Sequence, residues 1–347
     1  MWSATGYFAD HLRPQCRLRY CLVSCHSKEH PRILGIFVFM TELRATRHDD
    51  ISELGQLLDG VFRRSKGITD QSQLTDFPLV FSPANYSNSR VIVEDARIVS
   101  HAALWPRELI VGELRLKAAV IVSVATLPDY RMRGHAATLM RDLQDTLSAD
   151  GFDLAILWTS VPDFYRKLGW EITNPRGVIA TVDAGSLSIS GEQSYEVEQF
   201  DPARHLDDVI AIHDQECVRF ARDRDVALQL LTLPKIRVWV AIQNGSVAAY
   251  LAHATACNKR GLIEYGGDPD GVIELVGHVA ASADAALEWM LFHSSPDLIR
   301  WAERIGLSCR PLKSSKGFGV EMIRPVRPEN VSQRVRDELF VWGLDWA

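Results

Sequence analysis

The sequence has few of the features that mark secreted, membrane or nucleic-acid-binding proteins. Only six of its 347 residues are cysteine, too few and too unevenly spread for a disulfide framework. No stretch approaches the roughly 18 unbroken apolar residues that a membrane-spanning helix needs. A formal net charge of -6 disfavours duplex nucleic acid, because neutralising phosphates takes clustered lysine and arginine. We therefore expect a soluble, cytoplasmic protein with no nucleic-acid or membrane partner.

Convincing signals for metal binding and secretion are also missing from the first 39 residues. The side chains there that could bind zinc are Cys16, Cys21, Cys25, His26 and His30. No second pair of ligands follows at a zinc-finger distance, so we expect no metal. The segment is basic, and no small-residue cleavage site follows its apolar run at 33–39, which disfavours a secretory signal. We interpret residues 1–39 as a disordered or spurious extension and expect the functional domain to begin at Met40.

The length and composition favour two domains. Hydrophobic residues make up 47% of the chain, and one core rarely organises 347 residues. The polar segment 184–194 is interpreted as a linker between domains at 40–183 and 195–347. Each domain starts with the pattern of a strand, a polar turn, an amphipathic helix and a hairpin, which indicates an internal duplication. We predict an α/β fold of two tandem domains, each a central mixed sheet flanked by helices.

One turn in the first domain has the composition of an anion-binding site. A long apolar run ending at Val124 predicts a central strand, and Pro128 prevents that strand from continuing. Arg131 and Arg133 add positive charge, and Gly134 lets the backbone approach an anion without a Cβ in the way. A helix is predicted to follow, and its first amides and dipole favour negative charge. The turn therefore predicts a site for a pyrophosphate.

Two segments resemble the GNAT superfamily of acyl-CoA-dependent N-acyltransferases. The run "RMRGHA" at 131–136 is similar to the family's coenzyme A loop, and "FYRKLGWE" at 164–171 is similar to its aromatic pair and Gly-aromatic-Glu element. The resemblance covers about residues 41–180. It implies a tandem GNAT-like protein whose first domain uses acetyl-CoA, with the acyl-pantetheine arm on a strand backbone and the diphosphate on the loop.

The resemblance also assigns individual residues. The positions implied to contact the coenzyme are Val124, Ala125, Thr126, Arg131, Met132, Arg133, Gly134, His135 and Ala136. Tyr165 aligns with the family's tyrosine that protonates the departing thiolate. A phenol with an ordinary pKa of about 10 keeps its proton at neutral pH, which suits a general acid. No metal is implied.

The sequence departs from the family pattern at two places. Many relatives have an asparagine shortly before the aromatic pair, whereas this chain reads "TSVPDFY", so Thr159 or Ser160 would have to replace that contact. The strand before the loop contains no carboxylate that could act as a general base. The amine either arrives deprotonated or loses its proton through water and groups such as Ser123, His101 or Glu113, which the sequence does not rank.

The second domain lacks the coenzyme loop. Its corresponding stretch, "LIEYGGDPDGVIELV", has the carboxylates Glu264, Asp268, Asp270 and Glu274 around its glycines. Carboxylates at this density would repel a pyrophosphate. We therefore expect residues 195–347 to be a degenerate GNAT-like repeat without coenzyme.

These observations predict an N-acetyltransferase whose first domain transfers an acetyl group from acetyl-CoA to a primary amine of a small molecule or peptide. One alternative is a catalytically silent module that binds coenzyme A, since the usual asparagine and base are missing. A second is a tandem GNAT-type aminoacyl transferase that uses charged tRNA, which the net acidity and the intact coenzyme loop disfavour. The acceptor and the oligomeric state stay open.

Overall fold

The computed structural model describes residues 15–24, 33–173, 177–183, 195–256, 259–292, 294–312, 319–339 and 343–345. The strands are β1 (Gln15–Ser24), β2 (Ile33–Ala45), β3 (Ser89–Glu94), β4 (Arg97–Val111), β5 (Leu114–Thr126), β6 (Leu154–Thr159), β7 (Glu171–Ile172), β8 (Gly177–Val182), β9 (Glu196–Gln199), β10 (Val218–Phe220), β11 (Ile236–Gln243), β12 (Ser246–Ala256), β13 (Lys259–Gly267), β14 (Leu287–Phe292), β15 (Ser308–Pro311) and β16 (Val320–Pro325). The helices are α1 (Ile51–Phe62), α2 (Gln73–Asp76), α3 (His135–Ala149), α4 (Pro162–Arg166), α5 (Pro202–His213), α6 (Arg224–Leu231), α7 (Pro269–Ala281), α8 (Pro296–Arg304) and α9 (Gln333–Glu338).

The chain forms two compact units, each discontinuous in sequence. The first contains the described residues up to Leu74, together with Phe81–Leu104 and Ser123–Gln144. The second contains Thr75–Val80, Trp105–Val122 and the described residues from Asp145 onwards. The long strands β4 and β5 each contribute residues to both units.

The first sheet has the order β1-β2-β3-β4-β5-β6-β16-β7, and β10 pairs with the far end of β4. A tight turn at Asp95 and Ala96, both with positive φ, joins β3 to β4 and confirms the predicted hairpin. β5 is buried over most of its middle, as predicted for a central strand. It pairs in parallel with β6, with Ala118–Val120 opposite Leu154–Ile156, and it then continues to Thr126.

The second sheet has the order β15-β8-β14-β13-β12-β11-β9. Asn244 and Gly245 have φ values of 53° and 81° and form the predicted hairpin turn between β11 and β12. The core on this sheet includes Trp289 and much of α7, whose apolar face is fully buried. Here, too, the central strand β13 is antiparallel to β12 and parallel to β14.

The two sheets have the same strand sequence, which confirms the expected duplication. Reading from β2 and from β9, each has an antiparallel meander, a parallel pair and two further antiparallel strands. The sheets exchange one strand, however: β8 lies beside β14 in the second sheet, and β16 lies beside β6 in the first. β8 precedes the predicted linker and β16 follows it. Neither sheet is therefore built only from the segment 40–183 or only from 195–347.

The N-terminal residues differ from the expected disordered extension wherever the structure describes them. β1 pairs antiparallel with β2, and β2 runs without interruption from Ile33 through Met40 into Ala45. The apolar run at 33–39 contains branched and aromatic residues that favour an extended strand, which accounts for the difference. Residues 1–14 and 25–32, and the predicted linker 184–194, lie outside the described residues. That the functional domain begins at Met40 stays a prediction.

Candidate functional site

The predicted anion-binding turn lies between β5 and α3, in the first unit. After β5 ends, the Leu127 N–H donates to the Val99 carbonyl at 2.9 Å, and a single 3-10 turn covers Pro128–Tyr130. Gly134 then precedes α3, and its carbonyl accepts the first helical hydrogen bond, from Thr138 N–H at 2.9 Å. Gly134 is thus the N-cap residue, and it has no side chain with which to satisfy the first amides of the helix.

The backbone conformation gives a second reason for glycine at position 134. The φ angle of Gly134 is +87°, a left-handed conformation that residues with a Cβ rarely adopt. A Cβ placed there would meet nothing within 4 Å. Within the protein, therefore, it is the backbone conformation and not a close neighbour that demands glycine. Met132 also has a positive φ, of 61°, and its side chain is fully exposed.

The charges of the turn are partly balanced by a carboxylate that the sequence analysis missed. Glu94, at the end of β3, lies 3.5 Å from the Arg133 guanidinium and 3.3 Å from His135 Nε2. Arg133 also donates to the Asp129 carbonyl at 2.8 Å and packs over the Tyr130 ring at 4.7 Å. Glu94 is far from the loop in sequence, and only the pairing of β3 with its neighbours brings it here. The Arg133 side chain is therefore held in place within the turn.

The end of β5 presents backbone groups in a fixed direction. Ser123 has a positive φ of 52°, and its carbonyl accepts a hydrogen bond from His101 Nδ1 at 2.8 Å. The Ala125 carbonyl accepts from the Ser100 hydroxyl at 2.8 Å. In a trans peptide the N–H points opposite to the preceding C=O. The amides of Val124 and Thr126 therefore point away from His101 and Ser100, the two residues that bind those carbonyls.

Tyr165, the predicted general acid, lies on α4 in the second unit. Its side chain is buried, with the Phe164 ring at 4.9 Å and the Trp170 ring at 6.2 Å, both edge-on. Burial raises the pKa of the Tyr165 phenol to about 12, although a hydrogen bond with the Thr159 side chain acts in the opposite direction. The phenol is therefore protonated throughout the physiological pH range.

The residues proposed to replace the missing asparagine, or to take a proton from the amine, differ in their burial and in their hydrogen bonds. Thr159 is buried and accepts a hydrogen bond from Val161 N–H at 3.0 Å, so its hydroxyl serves α4 and Tyr165, whereas Ser160 is exposed. His101 and Ser123 are in contact. Glu113 is exposed in the turn between β4 and β5. Burial lowers the pKa of His101 to about 4, which makes it a poor proton acceptor at neutral pH.

Comparison with known proteins identifies the domain that carries this turn. Residues 42–173 match the family model of the acetyltransferase (GNAT) domain. This part of the chain is therefore similar to a GNAT acetyltransferase domain. The match includes β5, the turn at 131–136, α3 and Tyr165, although it does not by itself assign a role to any of them. No curated protein sequence matches the chain.

Solved structures share the fold over most of the chain. A conserved protein of unknown function from Enterococcus faecalis V583, named a probable N-acyltransferase, has a TM-score of 0.66 at 15% identity over 85% of this chain and 75% of its own. A GCN5-related N-acetyltransferase from Anabaena variabilis ATCC 29413 has a TM-score of 0.62 at 16% identity, over 84% and 74%. Eis1 from Mycobacterium abscessus has 0.56 at 14% identity, over 83% and 74%. At these identities the likeness shows the fold, two GNAT-like domains, and no more.

The second GNAT-like domain has a closed helix N-terminus where the first has a glycine. Asp268 is the N-cap of α7, and its carboxylate accepts hydrogen bonds from Asp270 N–H at 2.9 Å and Gly271 N–H at 3.2 Å. The Tyr195 hydroxyl donates to the same carboxylate at 2.8 Å. A side-chain carboxylate of the protein therefore already occupies the position in which an anion would bind.

The other carboxylate singled out in this stretch has a structural role. Glu264 is buried and forms two hydrogen bonds with the Arg222 guanidinium, at 2.8 and 2.7 Å. Arg222 also binds Asp345. Burial raises the pKa of Glu264, but Arg222 outweighs that effect and holds the pKa below its usual value. The charge of Glu264 is thus neutralised by Arg222 within the protein. Glu264 therefore has a structural role and does not act by repelling an anion, as the sequence had suggested.

A correspondence between α4 and α8 also escaped the sequence analysis. "SVPDFYR" at 160–166 and "SSPDLIR" at 294–300 both follow a strand, begin their helix at proline and place an Asp-Arg ion pair three residues apart. This alignment puts Ile299 at the position of Tyr165. The signal is present in the sequence, as a repeated Ser-x-Pro-Asp, and the second domain has no phenol at that position.

The described residues contain neither a metal-binding cluster nor a membrane-spanning helix. Within the described ranges, no group of three or more His, Cys, Asp or Glu side chains is placed to hold a metal ion. In the same part of the chain, no helix has both the length and the apolar character needed to cross a membrane.

Proposed function

We propose that this protein is an acetyl-CoA-dependent N-acetyltransferase whose first domain transfers an acetyl group to a primary amine of a small molecule or peptide. The observation that carries the proposal is the directed backbone of β5. The amides of Val124 and Thr126 point away from the side chains that bind the neighbouring carbonyls, and the same strand leads into the glycine that begins α3. An acyl-pantetheine arm needs strand amides that point in this direction, and a diphosphate needs such a helix N-terminus.

In the proposed reaction a neutral amine attacks the thioester carbonyl carbon directly. A strand amide stabilises the developing oxyanion, and positioning of the two substrates supplies much of the rate enhancement. The C–N bond forms, the C–S bond breaks, and the thiolate of coenzyme A takes a proton from Tyr165. The Tyr165 phenol is protonated at neutral pH, as a general acid must be before it donates.

The loss of a proton from the attacking amine is proposed to proceed through water. His101 is fully buried, both of its ring nitrogens are engaged in hydrogen bonds, and its lowered pKa disfavours protonation. Of the groups considered from the sequence, the partly exposed Ser123 is the better relay candidate. The acceptor amine and the cytoplasmic location stay predictions from the sequence.

The proposal is tested by measuring release of free thiol from acetyl-CoA in the presence of polyamines, aminoglycosides and peptides with free N-termini. We expect turnover with at least one amine and none when the amine is omitted. Coenzyme A binding in a calorimeter without turnover across the panel would instead identify a silent binding module. Absence of both binding and turnover would contradict the proposed function entirely.

A further inference from the structure

A chain of buried hydrogen bonds ends at the strained residue of β5. His101 Nδ1 lies 2.8 Å from the Ser123 carbonyl, and His101 Nε2 lies 2.9 Å from the Ser89 hydroxyl. Ser89 in turn lies 2.6 Å from the Thr46 hydroxyl. All three side chains are buried, and they come from β4, from β3 and from the residue after β2. These hydrogen bonds thus connect β4, β3 and the residue after β2 to one carbonyl of β5.

The direction of the donors in this chain follows from the carbonyl. A carbonyl oxygen can only accept, so Nδ1 must carry the proton and the neutral ring must accept at Nε2. Ser89 therefore donates to His101, and Thr46 donates to Ser89. Burial supports the neutral ring, because it lowers the pKa of His101 to about 4. His101 is consequently a fixed donor to Ser123 at neutral pH.

His101 binds the carbonyl of Ser123, a residue whose backbone conformation is unfavourable by itself. Ser123 has a φ of +52°, a left-handed conformation that a residue with a Cβ rarely adopts unless its surroundings impose it. Its hydroxyl also lies 3.2 Å from the Gln73 side chain. The carbonyl and the side chain of Ser123 are therefore both restrained by buried groups of the same unit.

We propose that His101 is a positioning residue for coenzyme binding: it holds the Ser123 carbonyl and thereby keeps the Val124 amide directed at the acyl-pantetheine arm. The inference rests on the proposed function. His101 itself contacts neither coenzyme nor amine in this account. Because the peptide plane is rigid, rotation of the Ser123 carbonyl would turn the Val124 N–H with it. The diphosphate loop at 131–136 does not depend on this peptide, so the two parts of the coenzyme should respond differently.

Two substitutions separate the two ring nitrogens. His101→Asn places an amide N–H near the position of Nδ1 and retains the donor to Ser123. His101→Gln places its amide near Nε2, retains contact with Ser89 and removes the donor to Ser123. The probes are coenzyme A, which has the pantetheine arm, and 3′-phospho-ADP, which has the diphosphate without the arm. Both dissociation constants are measured by titration calorimetry on the full chain.

We expect His101→Gln to weaken coenzyme A binding about tenfold and to change 3′-phospho-ADP binding by less than about twofold. His101→Asn, which retains the donor to Ser123 but loses the contact with Ser89, should weaken coenzyme A binding by about threefold and change 3′-phospho-ADP binding by less than about twofold. If His101→Gln weakens both probes equally, or neither, the positioning role is overturned. If the native protein binds neither probe, the proposed function fails first, and the inference fails with it.

A milder variant covers the case in which His101→Gln does not fold. Ser89→Ala removes the hydrogen-bond donor to Nε2 and leaves the imidazole and its contact with Ser123 in place. We expect a loss of about threefold in affinity for coenzyme A alone, since a ring held at one nitrogen is less well fixed. Unchanged affinity for coenzyme A in a folded Ser89→Ala protein would count against a relay through Ser89 and His101.

Discussion

The N-termini of α3 and α7 follow equivalent central strands but are completed in opposite ways. At α3 the N-cap is Gly134, and two arginines lie in the preceding turn. At α7 the N-cap is Asp268, whose carboxylate binds two amides of the first turn and the Tyr195 hydroxyl. The N-terminus of α7 is therefore closed by a side-chain carboxylate, whereas the residue before α3 has no side chain. The two repeats of the fold thus differ at the position where the first is proposed to bind an anion.

The helices α4 and α8 differ in a similar way, at the position of the proposed general acid. Both begin at a proline after a strand and contain the same Asp-Arg ion pair, but Tyr165 in α4 corresponds to Ile299 in α8. The first domain thus has a phenol at this helix position, and the second has an aliphatic side chain there. This difference supports assigning acetyl transfer to the first domain alone.

The largest expected effect concerns the phenols of the two domains. Tyr165→Phe should lower kcat about 100-fold or more, because it removes the proton donor for the thiolate, and it should change coenzyme A affinity little. Tyr195→Phe, the matched loss of a hydroxyl beside α7, should leave kcat unchanged. Steady-state kinetics with the best amine of the panel measures both. Equal turnover by Tyr165→Phe would remove Tyr165 from the mechanism.

The next effect tests whether Glu264, in the strand before α7, has a structural role. Glu264→Gln should lower the free energy of unfolding by about 3 kcal/mol, since it leaves the buried Arg222 without one of its partners. It should not create coenzyme binding by the second domain. Asp270→Asn, at an exposed carboxylate of the same stretch, should change the free energy of unfolding by about 0.5 kcal/mol or less. Denaturant titration gives both values, and equal losses would contradict the buried ion pair.

A smaller effect separates backbone strain from coenzyme binding. Gly134→Val should raise the KM for acetyl-CoA about 30-fold, because valine resists a φ of +87° and its branches would lie where the diphosphate approaches. Gly67→Val is the matched control: Gly67 has a φ of +74° and also has nothing within 4 Å of an added Cβ. It should cost similar stability without changing the KM. A similar rise in the KM in both variants would point to strain alone.

The smallest effect tests the closed helix directly. Asp268→Ala should lower the free energy of unfolding by about 1 kcal/mol through the loss of an N-cap. We expect no coenzyme binding at α7 in return, because the preceding turn lacks the arginines of the first domain. Calorimetry on the native protein and on this variant should therefore give the same stoichiometry of one coenzyme A per chain. A second binding event in the variant would mean that the cap alone separates the two domains.

The features that could be predicted from the sequence are those whose determining residues are local. The hairpins, the buried strand before Pro128 and the glycine before α3 each depend on neighbours a few residues away. Features that depend on a distant partner could not be predicted. β8 and β16 are similar short apolar strands, and nothing in either segment states which sheet will accept it.

The side-chain contacts of the site were missed for the same reason. The carbonyl of Ser123 is bound by His101, and Arg133 lies beside Glu94, through pairings of β3, β4 and β5 that no local pattern encodes. The turn at 131–136 could therefore be located from a motif, whereas the residues that hold the strand in position required the fold.

The central claim is that the backbone from Val124 to α3 binds the acyl carrier, and a crystal structure of the protein with coenzyme A tests it most directly. We predict the pantetheine arm along the Val124 and Thr126 amides and the diphosphate at the N-terminus of α3, with α7 still capped by Asp268. A diphosphate bound at any other place, or β5 amides occupied by groups of the protein in the complex, would contradict the account.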